Sequence, residues 1–161
     1  MSQLRGYTFD EIEMGQTASF SKLVEETDIQ MFSTVSGDVN PVHLDEEFAA
    51  GTMFGERIAH GMLTGGVISA ALAMKLPGPG CIYLGQTLRF SRPVKIGDRI
   101  TVNLEVTNKR DDKKILTLST DVSNQDGKVV ATGEAQIMPS REKLLIDPPA
   151  TPCFEKCEQS E

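Results

Sequence analysis

The segment from residue 58 to residue 74 constrains the fold most, because its 17 consecutive residues include no Asp, Glu, Lys or Arg. That length is at the lower limit for a membrane span, and His60, Gly61 and the pair Gly65 and Gly66 interrupt it. A helix with one side in water keeps a charged face, and this segment has none. We therefore expect a helix over residues 61–74 that other parts of the same chain cover on most sides.

The residues that cover this helix are predicted to be strands. After the sequence Pro-Gly-Pro-Gly at residues 77–80, which a helix cannot cross, the hydrophobic period changes to two. The pattern predicts strands at residues 17–24, 81–90, 100–106, 115–122 and 129–138. A chain of 161 residues has room for one domain. We therefore predict the α+β class, with a single antiparallel sheet wrapped around a central hydrophobic helix.

Charge and the N-terminal sequence narrow the possible partners. Sixteen Lys and Arg against 23 Asp and Glu give a net charge of −7, and no basic stripe is present, which argues against nucleic acid binding. Residues 1–10 contain charged side chains and no apolar run, which is not the pattern of a signal peptide. We therefore expect a cytoplasmic protein that binds neither nucleic acid nor membranes.

The C-terminal residues 139–161 contain four prolines and no sustained hydrophobic period. This composition predicts an extended or disordered tail outside the domain, with Leu144 to Ile146 as the one stretch able to dock on the body. Cys153 and Cys157 lie four residues apart, but no histidine or second cysteine pair stands near them. We therefore expect reduced thiols and no metal site in the tail.

A polar loop at residues 37–44 carries the first candidate chemistry. Helices are predicted on both sides of it, over residues 27–35 and 46–50, and Pro41 favours an extended conformation at Asn40. Asp38 and His43 can then turn toward one point and hold a water between a carboxylate and an imidazole. The same residues also suit a plain polar turn with a solvated histidine, and spacing alone does not separate the two interpretations.

The second candidate feature is the start of the uncharged helix at Gly61. Without a side chain there, a ligand carbonyl can reach the N–H groups of the first turn, where the helix dipole favours a developing oxyanion. The alternative is that Gly61 only relieves crowding and that His60 is a hydrogen-bonded polar residue. The chain has two histidines, so either His43 or His60 is a candidate base.

Together the two motifs identify a family. The sequence Gly-Asp-Val-Asn-Pro-Val-His-Leu-Asp at residues 37–45, followed by Arg-Ile-Ala-His-Gly-Met-Leu at residues 57–63, resembles the MaoC-like hydratases. It is most similar to the small (R)-specific enoyl-CoA hydratases of bacterial polyhydroxyalkanoate metabolism. The resemblance continues through residues 76–80, 82–90 and 93–98. It implies a hot-dog domain over residues 1–138.

The resemblance also implies the roles of individual residues. Asp38 and His43 would be the catalytic pair, Asn40 would support their orientation, the Gly61 N–H would be the oxyanion donor, and Ser69 would be a further polar residue of the site. The implied reaction adds water to C3 of a trans-2-enoyl-CoA and gives (R)-3-hydroxyacyl-CoA, which links fatty acid β-oxidation to polyhydroxyalkanoate precursor supply. No cofactor or metal is implied.

Partners follow from the same resemblance. It implies an acyl-CoA substrate and a homodimer with CoA near the subunit boundary. Arg89, Arg92 and Lys95 are our candidates for binding the CoA phosphates, although the same residues also suit solvated charges at a strand edge. Two alternatives remain at this point: a hot-dog acyl-CoA thioesterase and a non-catalytic acyl-CoA-binding dimer. Acyl-chain length is not encoded in these motifs.

Overall fold

The computed structural model describes residues 2–157 and contains one seven-stranded antiparallel sheet, one two-stranded sheet and four α-helices. In chain order the elements are β1 (Leu4–Gly6), a short 3-10 turn (Phe9–Glu11), β2 (Thr17–Leu23), α1 (Glu26–Ser36), α2 (Pro41–Leu44), α3 (Glu46–Ala50), α4 (Gly61–Met74), β3 (Ile82–Gln86), β4 (Arg89–Phe90), β5 (Arg99–Arg110), β6 (Ile115–Ser123), β7 (Val129–Thr132), β8 (Glu134–Met138) and β9 (Leu144–Ile146).

Helix α4 lies against the concave face of the large sheet. It begins and ends where the sequence predicts, and its buried residues pack on an alternating set of fully buried side chains of β5 (Ile100, Val102, Leu104 and Val106). Burial of each such aliphatic side chain stabilises the folded state by about 1.5–3 kcal/mol. The predicted α+β class and hot-dog fold are confirmed. Within residues 2–157, no helix is long and apolar enough to cross a membrane.

Two of the predicted strands are broken by bends. Residues 81–90 divide into β3 and β4, and residues 129–138 divide into β7 and β8. The two bends face each other, because a Cβ on Gly133 would lie 1.9 Å from the carbonyl oxygen of Thr87. Only glycine permits so close an approach of the two backbones. The sheet can therefore curl around α4, which a flat meander would not do.

Helix α1 begins slightly earlier than the sequence signals predict. Its cap is Glu25, whose backbone N–H donates to Asp28 Oδ2 at 2.8 Å, and its first residue is Glu26. The prediction that the helix ends near Ser36 is correct, since Gly37 follows in the left-handed conformation with φ of 78°. This glycine turns the chain sharply into the polar loop.

The predicted polar loop contains an additional helical turn, α2. Asn40 caps it by accepting a hydrogen bond from the Val42 N–H at 3.2 Å, and the proline that follows Asn40 occupies its first turn. Asp45 then caps α3 as predicted, by accepting from the Phe48 N–H at 2.9 Å. The loop is therefore fixed by capping side chains at both ends of α2.

The C-terminal segment packs on the body through β9. This strand pairs antiparallel with β1, with Leu4 opposite Ile146, and a Cβ on Gly80 would lie 2.7 Å from Cδ1 of Leu144. We expected this segment to pack little, apart from local docking at residues 144–146. The short strand pairs with residues at the opposite end of the chain, so the local hydrophobic pattern does not predict it. The domain boundary at residue 138 stays a prediction.

The carboxylate of Glu11 joins both strands of the small sheet to the body. It accepts from the Thr8 N–H and hydroxyl, each at 3.0 Å, and pairs with Arg5 at 3.3 Å and with Lys143 at 3.1 Å. The hydrogen bond from the Thr8 backbone is the largest cause that lowers the Glu11 pKa to about 2, and Lys143 adds to it against the opposing effect of desolvation. The carboxylate is therefore charged throughout the neutral range.

A truncation after Ser140 should lower the melting temperature by at least about 3 °C, because it removes β9 and the Lys143 ion pair. A truncation after Pro148 keeps both and should stay within about 1 °C of the full chain. Thermal unfolding followed by circular dichroism measures the difference. Equal melting temperatures for the two truncations would show that β9 adds no stability.

The variant Glu11→Gln tests the ion pairs around Glu11 as a function of pH. Because the folded pKa of about 2 lies below the ordinary 4.5, the stability from the charged form is complete above about pH 4.5 and is lost as pH falls toward 2. The melting temperature of the wild-type protein should therefore exceed that of the variant at pH 6 and converge on it by pH 2. The exposed neighbour Glu13→Gln is the control, and a constant gap for Glu11→Gln would contradict the assignment.

Candidate active site

Asp38 and His43 face each other across a gap that suits one water. Asp38 follows the C-terminal glycine of α1, His43 lies on α2, and Oδ2 of Asp38 is 3.9 Å from Nε2 of His43. This is too long for a direct hydrogen bond. A single water about 2.8 Å from each atom could bridge them. The structure thus brings the two predicted residues together at a separation that one bridging water could span.

The orientation of His43 is set by a backbone carbonyl that sequence reasoning did not find. Nδ1 of His43 is 2.7 Å from the carbonyl oxygen of Ile58. A carbonyl only accepts, so we assign the ring hydrogen to Nδ1, and Nε2 keeps its lone pair on the side of Asp38. His43 is buried, whereas the Asp38 side chain is 51% exposed. A substrate would therefore approach from the Asp38 side.

Asn40 contacts Asp38 through its backbone rather than its side chain. The Asn40 N–H donates to Oδ1 of Asp38 at 3.1 Å, while its side chain caps α2. One residue thus restrains the carboxylate and also starts the helix that carries His43. This geometry agrees with the supporting position expected for Asn40, and its contribution to catalysis stays a prediction.

Gly61 is the first residue of α4, where the N–H groups have no intrahelical acceptor. No backbone acceptor for its N–H occurs among the described residues. A Cβ at this position would also lie 2.9 Å from Cζ of Phe90. Both interpretations from the sequence therefore have support: the glycine relieves crowding, and its N–H is available to an oxygen of a ligand.

His60 lies directly behind His43. The two ring centroids are 3.8 Å apart with planes inclined by 29°, and Nε2 of His60 is 3.0 Å from the Asp38 carbonyl oxygen and 3.1 Å from Ser33 Oγ. By distance alone Asp38, His43 and His60 could surround a metal ion. Ring planes this close to parallel cannot both point their lone pairs at one ion about 2.1 Å away. The cluster therefore suits acid–base chemistry better than metal binding.

Comparison with known proteins identifies the family of the chain. Residues 9–127 match the MaoC like domain, which covers well over half of the chain. The chain belongs to the MaoC-like family. The motifs around Asp38 and Gly61 lie inside the matched region.

Within this family, the chain is similar to several proteins named as (R)-specific hydratases. The chain is 48% identical over 130 residues to the (R)-specific enoyl-CoA hydratase of Rhodospirillum rubrum. The matched region covers 81% of this chain and 90% of that protein. The unliganded R-hydratase PhaJ1 from Pseudomonas aeruginosa superposes with a TM-score of 0.92 at 52% identity, over 97% of this chain and 100% of that one. The (R)-hydratase of Aeromonas caviae, described as involved in PHA biosynthesis, gives a TM-score of 0.76 at 46% identity, over 79% of this chain and 96% of that one.

Ser69 lies on α4 of this MaoC-like fold, but away from the pair. It lies eight positions after Gly61, which is about 12 Å along the helix axis. It is partly buried. The structure therefore does not bring Ser69 to the water position, and its role in the site stays a prediction.

The three basic candidates for CoA do not form one free patch. The Lys95 ammonium is paired with Glu56, which raises the Lys95 pKa, and Arg92 donates to the Val129 carbonyl oxygen at 2.7 Å. Arg89 is exposed on β4 and has no side-chain partner in the part of the chain that the structure describes. Arg89 is thus the most available of the three, and phosphate binding stays a prediction.

The variants Asp38→Asn and His43→Gln keep the approximate shape of each side chain but remove its basicity. If both groups transfer protons, each substitution should lower kcat by about 100-fold or more on the enoyl-CoA substrate that the resemblance implies. The double variant should be little worse than the worse single variant, because the two groups act as a unit.

Steady-state kinetics measure this effect, with circular dichroism to show that the variants fold. Asp121→Asn, an exposed aspartate on β6, is the control and should keep wild-type turnover. Near-normal turnover of either site variant would remove that residue from the acid–base pair.

Proposed function

We propose that this protein is an (R)-specific enoyl-CoA hydratase, which adds water to trans-2-enoyl-CoA and forms (R)-3-hydroxyacyl-CoA. The observation that carries the proposal is the 3.9 Å gap between the Asp38 carboxylate and Nε2 of His43. It lies beside the helix that starts at Gly61. The MaoC-like family and the two (R)-hydratase structures support the same activity.

Each step of the proposed reaction can be assigned to residues of this site. A water held between Asp38 and His43 loses a proton to the pair as its oxygen bonds to C3 of the enoyl group. The thioester oxygen gains enolate character, which the Gly61 N–H at the positive end of α4 would stabilise. A proton from the pair then reaches C2, so the pair ends in its starting state. Asp38 and His43 are treated as one acid–base unit, because coupled groups share their protons.

The R configuration depends on which side of the substrate faces the water. Both acid–base groups come from one side, the segment of α1 to α2, and the oxyanion donor comes from α4. A planar enoyl group held between them presents one face to the pair, so water and proton arrive on the same face. This arrangement gives a single product configuration, and the names of the relatives supply its sense.

We also propose that the protein is a homodimer with the acyl-CoA site near the subunit boundary. Within residues 2–157, strand β3 pairs only with β8, so no described residue pairs with its other edge. Ile82, Tyr83 and Leu84 of this strand are exposed, as are Met62 and Phe90 near the start of α4. An open, apolar strand edge favours pairing with a second chain.

The product class places the enzyme between fatty acid β-oxidation, which forms enoyl-CoA, and synthesis of polyhydroxyalkanoate, which consumes (R)-3-hydroxyacyl-CoA. CoA thioesters are intracellular metabolites, so the proposed location is the cytoplasm. Neither the site nor the proposed reaction calls for a cofactor. These proposals rest on the substrate class and not on any terminal signal.

Incubation with crotonyl-CoA tests the reaction. Absorbance of the conjugated enoyl thioester should fall without release of free thiol, and chiral analysis should give only the R product. Release of thiol without loss of the double bond would indicate a thioesterase. Saturable binding without turnover for any chain length would indicate a binding protein, and an S product would contradict the stereochemical assignment. A series of enoyl-CoA chain lengths in the same assay would define the acyl preference.

A further inference from the structure

His60 is a buried imidazole that takes no part in the reaction as written above. Its 2% exposure and its contacts with both members of the acid–base pair call for a separate explanation. We propose that His60, held by Ser33 of α1, is a positioning residue that fixes the spacing between Asp38 and His43. The inference rests on the proposed hydration reaction, because the spacing matters only if the pair holds the reacting water.

The first contact restrains Asp38. Nε2 of His60 lies 3.0 Å from the Asp38 carbonyl oxygen and 3.1 Å from Ser33 Oγ. The carbonyl has no hydrogen to give, so Nε2 carries the hydrogen and shares it between the two oxygens. The Asp38 side chain is half exposed, so its position depends on how firmly its backbone is held. His60 supplies that hold from the protein interior.

The second contact restrains His43. Its ring is attached at one end by the hydrogen bond from Nδ1 to the Ile58 carbonyl, about which the ring could still tip. The flat face of His60, 3.8 Å away, closes the space on one side. One imidazole therefore limits the backbone of the first catalytic group and the ring angle of the second.

The third contact fixes His60 itself. Ser33 is 3% exposed, and the neighbouring Phe32 packs against the His60 ring with a centroid distance of 4.9 Å. Helix α1 thus acts on both catalytic groups through a single side chain. Ser33 is the only residue that joins α1 to His60 by a hydrogen bond within residues 2–157.

An unpaired buried nitrogen of His60 supports a role for this residue beyond packing. Nδ1 of His60 is buried and has no hydrogen-bond partner among the described residues. A buried polar atom without a partner destabilises a protein, and an apolar ring would fill the same space without that penalty. Buried groups that break a local rule of stability are expected where they serve the site.

The variant Ser33→Ala tests the inference with a small change. Release of one side of His60 should displace the pair by a fraction of an ångström, and a displacement of about 1 Å can cost up to about 100-fold in rate. We expect kcat on crotonyl-CoA to fall by about 5- to 30-fold while KM changes by less than about 2-fold. His60→Gln should lower kcat further, because it also removes the stacked ring.

Thr34→Ala is the matched control, because Thr34 is the next residue of α1 and its exposed hydroxyl donates to the Gln30 carbonyl, its one partner among the described residues. It should leave kcat unchanged. In an Asp38→Asn background, Ser33→Ala should lower the residual rate by less than about 2-fold, because its effect passes through the pair. A full additional loss in that background, or a wild-type kcat for Ser33→Ala, would overturn the inference.

Imidazole nitrogen NMR separates failure of this inference from failure of the proposed function. The chain has two histidines, so both rings can be assigned. At pH 8 the wild-type protein should show His60 with its hydrogen on Nε2 and His43 with its hydrogen on Nδ1, and Ser33→Ala should shift the signals of both. A wild-type protein that fails to hydrate enoyl-CoA refutes the function, whereas His60 with its hydrogen on Nδ1 refutes the positioning role.

Discussion

Burial of the uncharged helix α4 is the constraint on which the rest of the structure depends. Because α4 has no charged face, the sheet must curl around it, and the bends at Thr87 and Gly133 provide that curl. The first N–H groups of an enclosed helix have no acceptor within the helix, so their acceptors must come from outside it. In α4 these N–H groups begin at Gly61, so the packing of the core decides where a polar ligand can reach the backbone.

The segment of α1 to α3 is positioned by contacts with the residues that precede α4. His60 and Ile58 lead into α4, and each contributes one hydrogen bond to the facing loop, from Nε2 of His60 to the Asp38 carbonyl and from Nδ1 of His43 to the Ile58 carbonyl. The carboxylate and imidazole of the proposed acid–base pair are thus held from behind by the segment that presents the proposed oxyanion donor. In the proposed reaction, groups preorganised in this way would need little rearrangement, which is where electrostatic catalysis gains most.

How much of this could be predicted from sequence depends on whether the signal is local. The bounds of α4 and the cap of α3 at Asp45 follow from residues next to them, and both predictions are correct. The pairing of β1 with β9 depends on contact between distant residues, for which neither strand carries a pattern. Within the site, motifs identified Asp38 and His43, but a backbone carbonyl such as that of Ile58 has no sequence signature. Ser33 was missed because its partner lies 27 residues away.

The proposed active site and the small sheet of β1 and β9 lie at opposite ends of α4. The pair and the Gly61 N–H lie at its first turn, whereas β9 packs against Gly80, beyond its last turn and about 20 Å away along the axis. The Aeromonas caviae (R)-hydratase is matched over nearly its whole length by 79% of this chain. A fold of that size is therefore sufficient for that hydratase. In this chain β1 and β9 pack against the segment after α4, where a Cβ on Gly78 would lie 2.1 Å from the Arg5 carbonyl oxygen and a Cβ on Gly80 would lie 2.7 Å from Leu144 Cδ1. We therefore expect the strand pair to act on the site through the stability of the fold and not by contact.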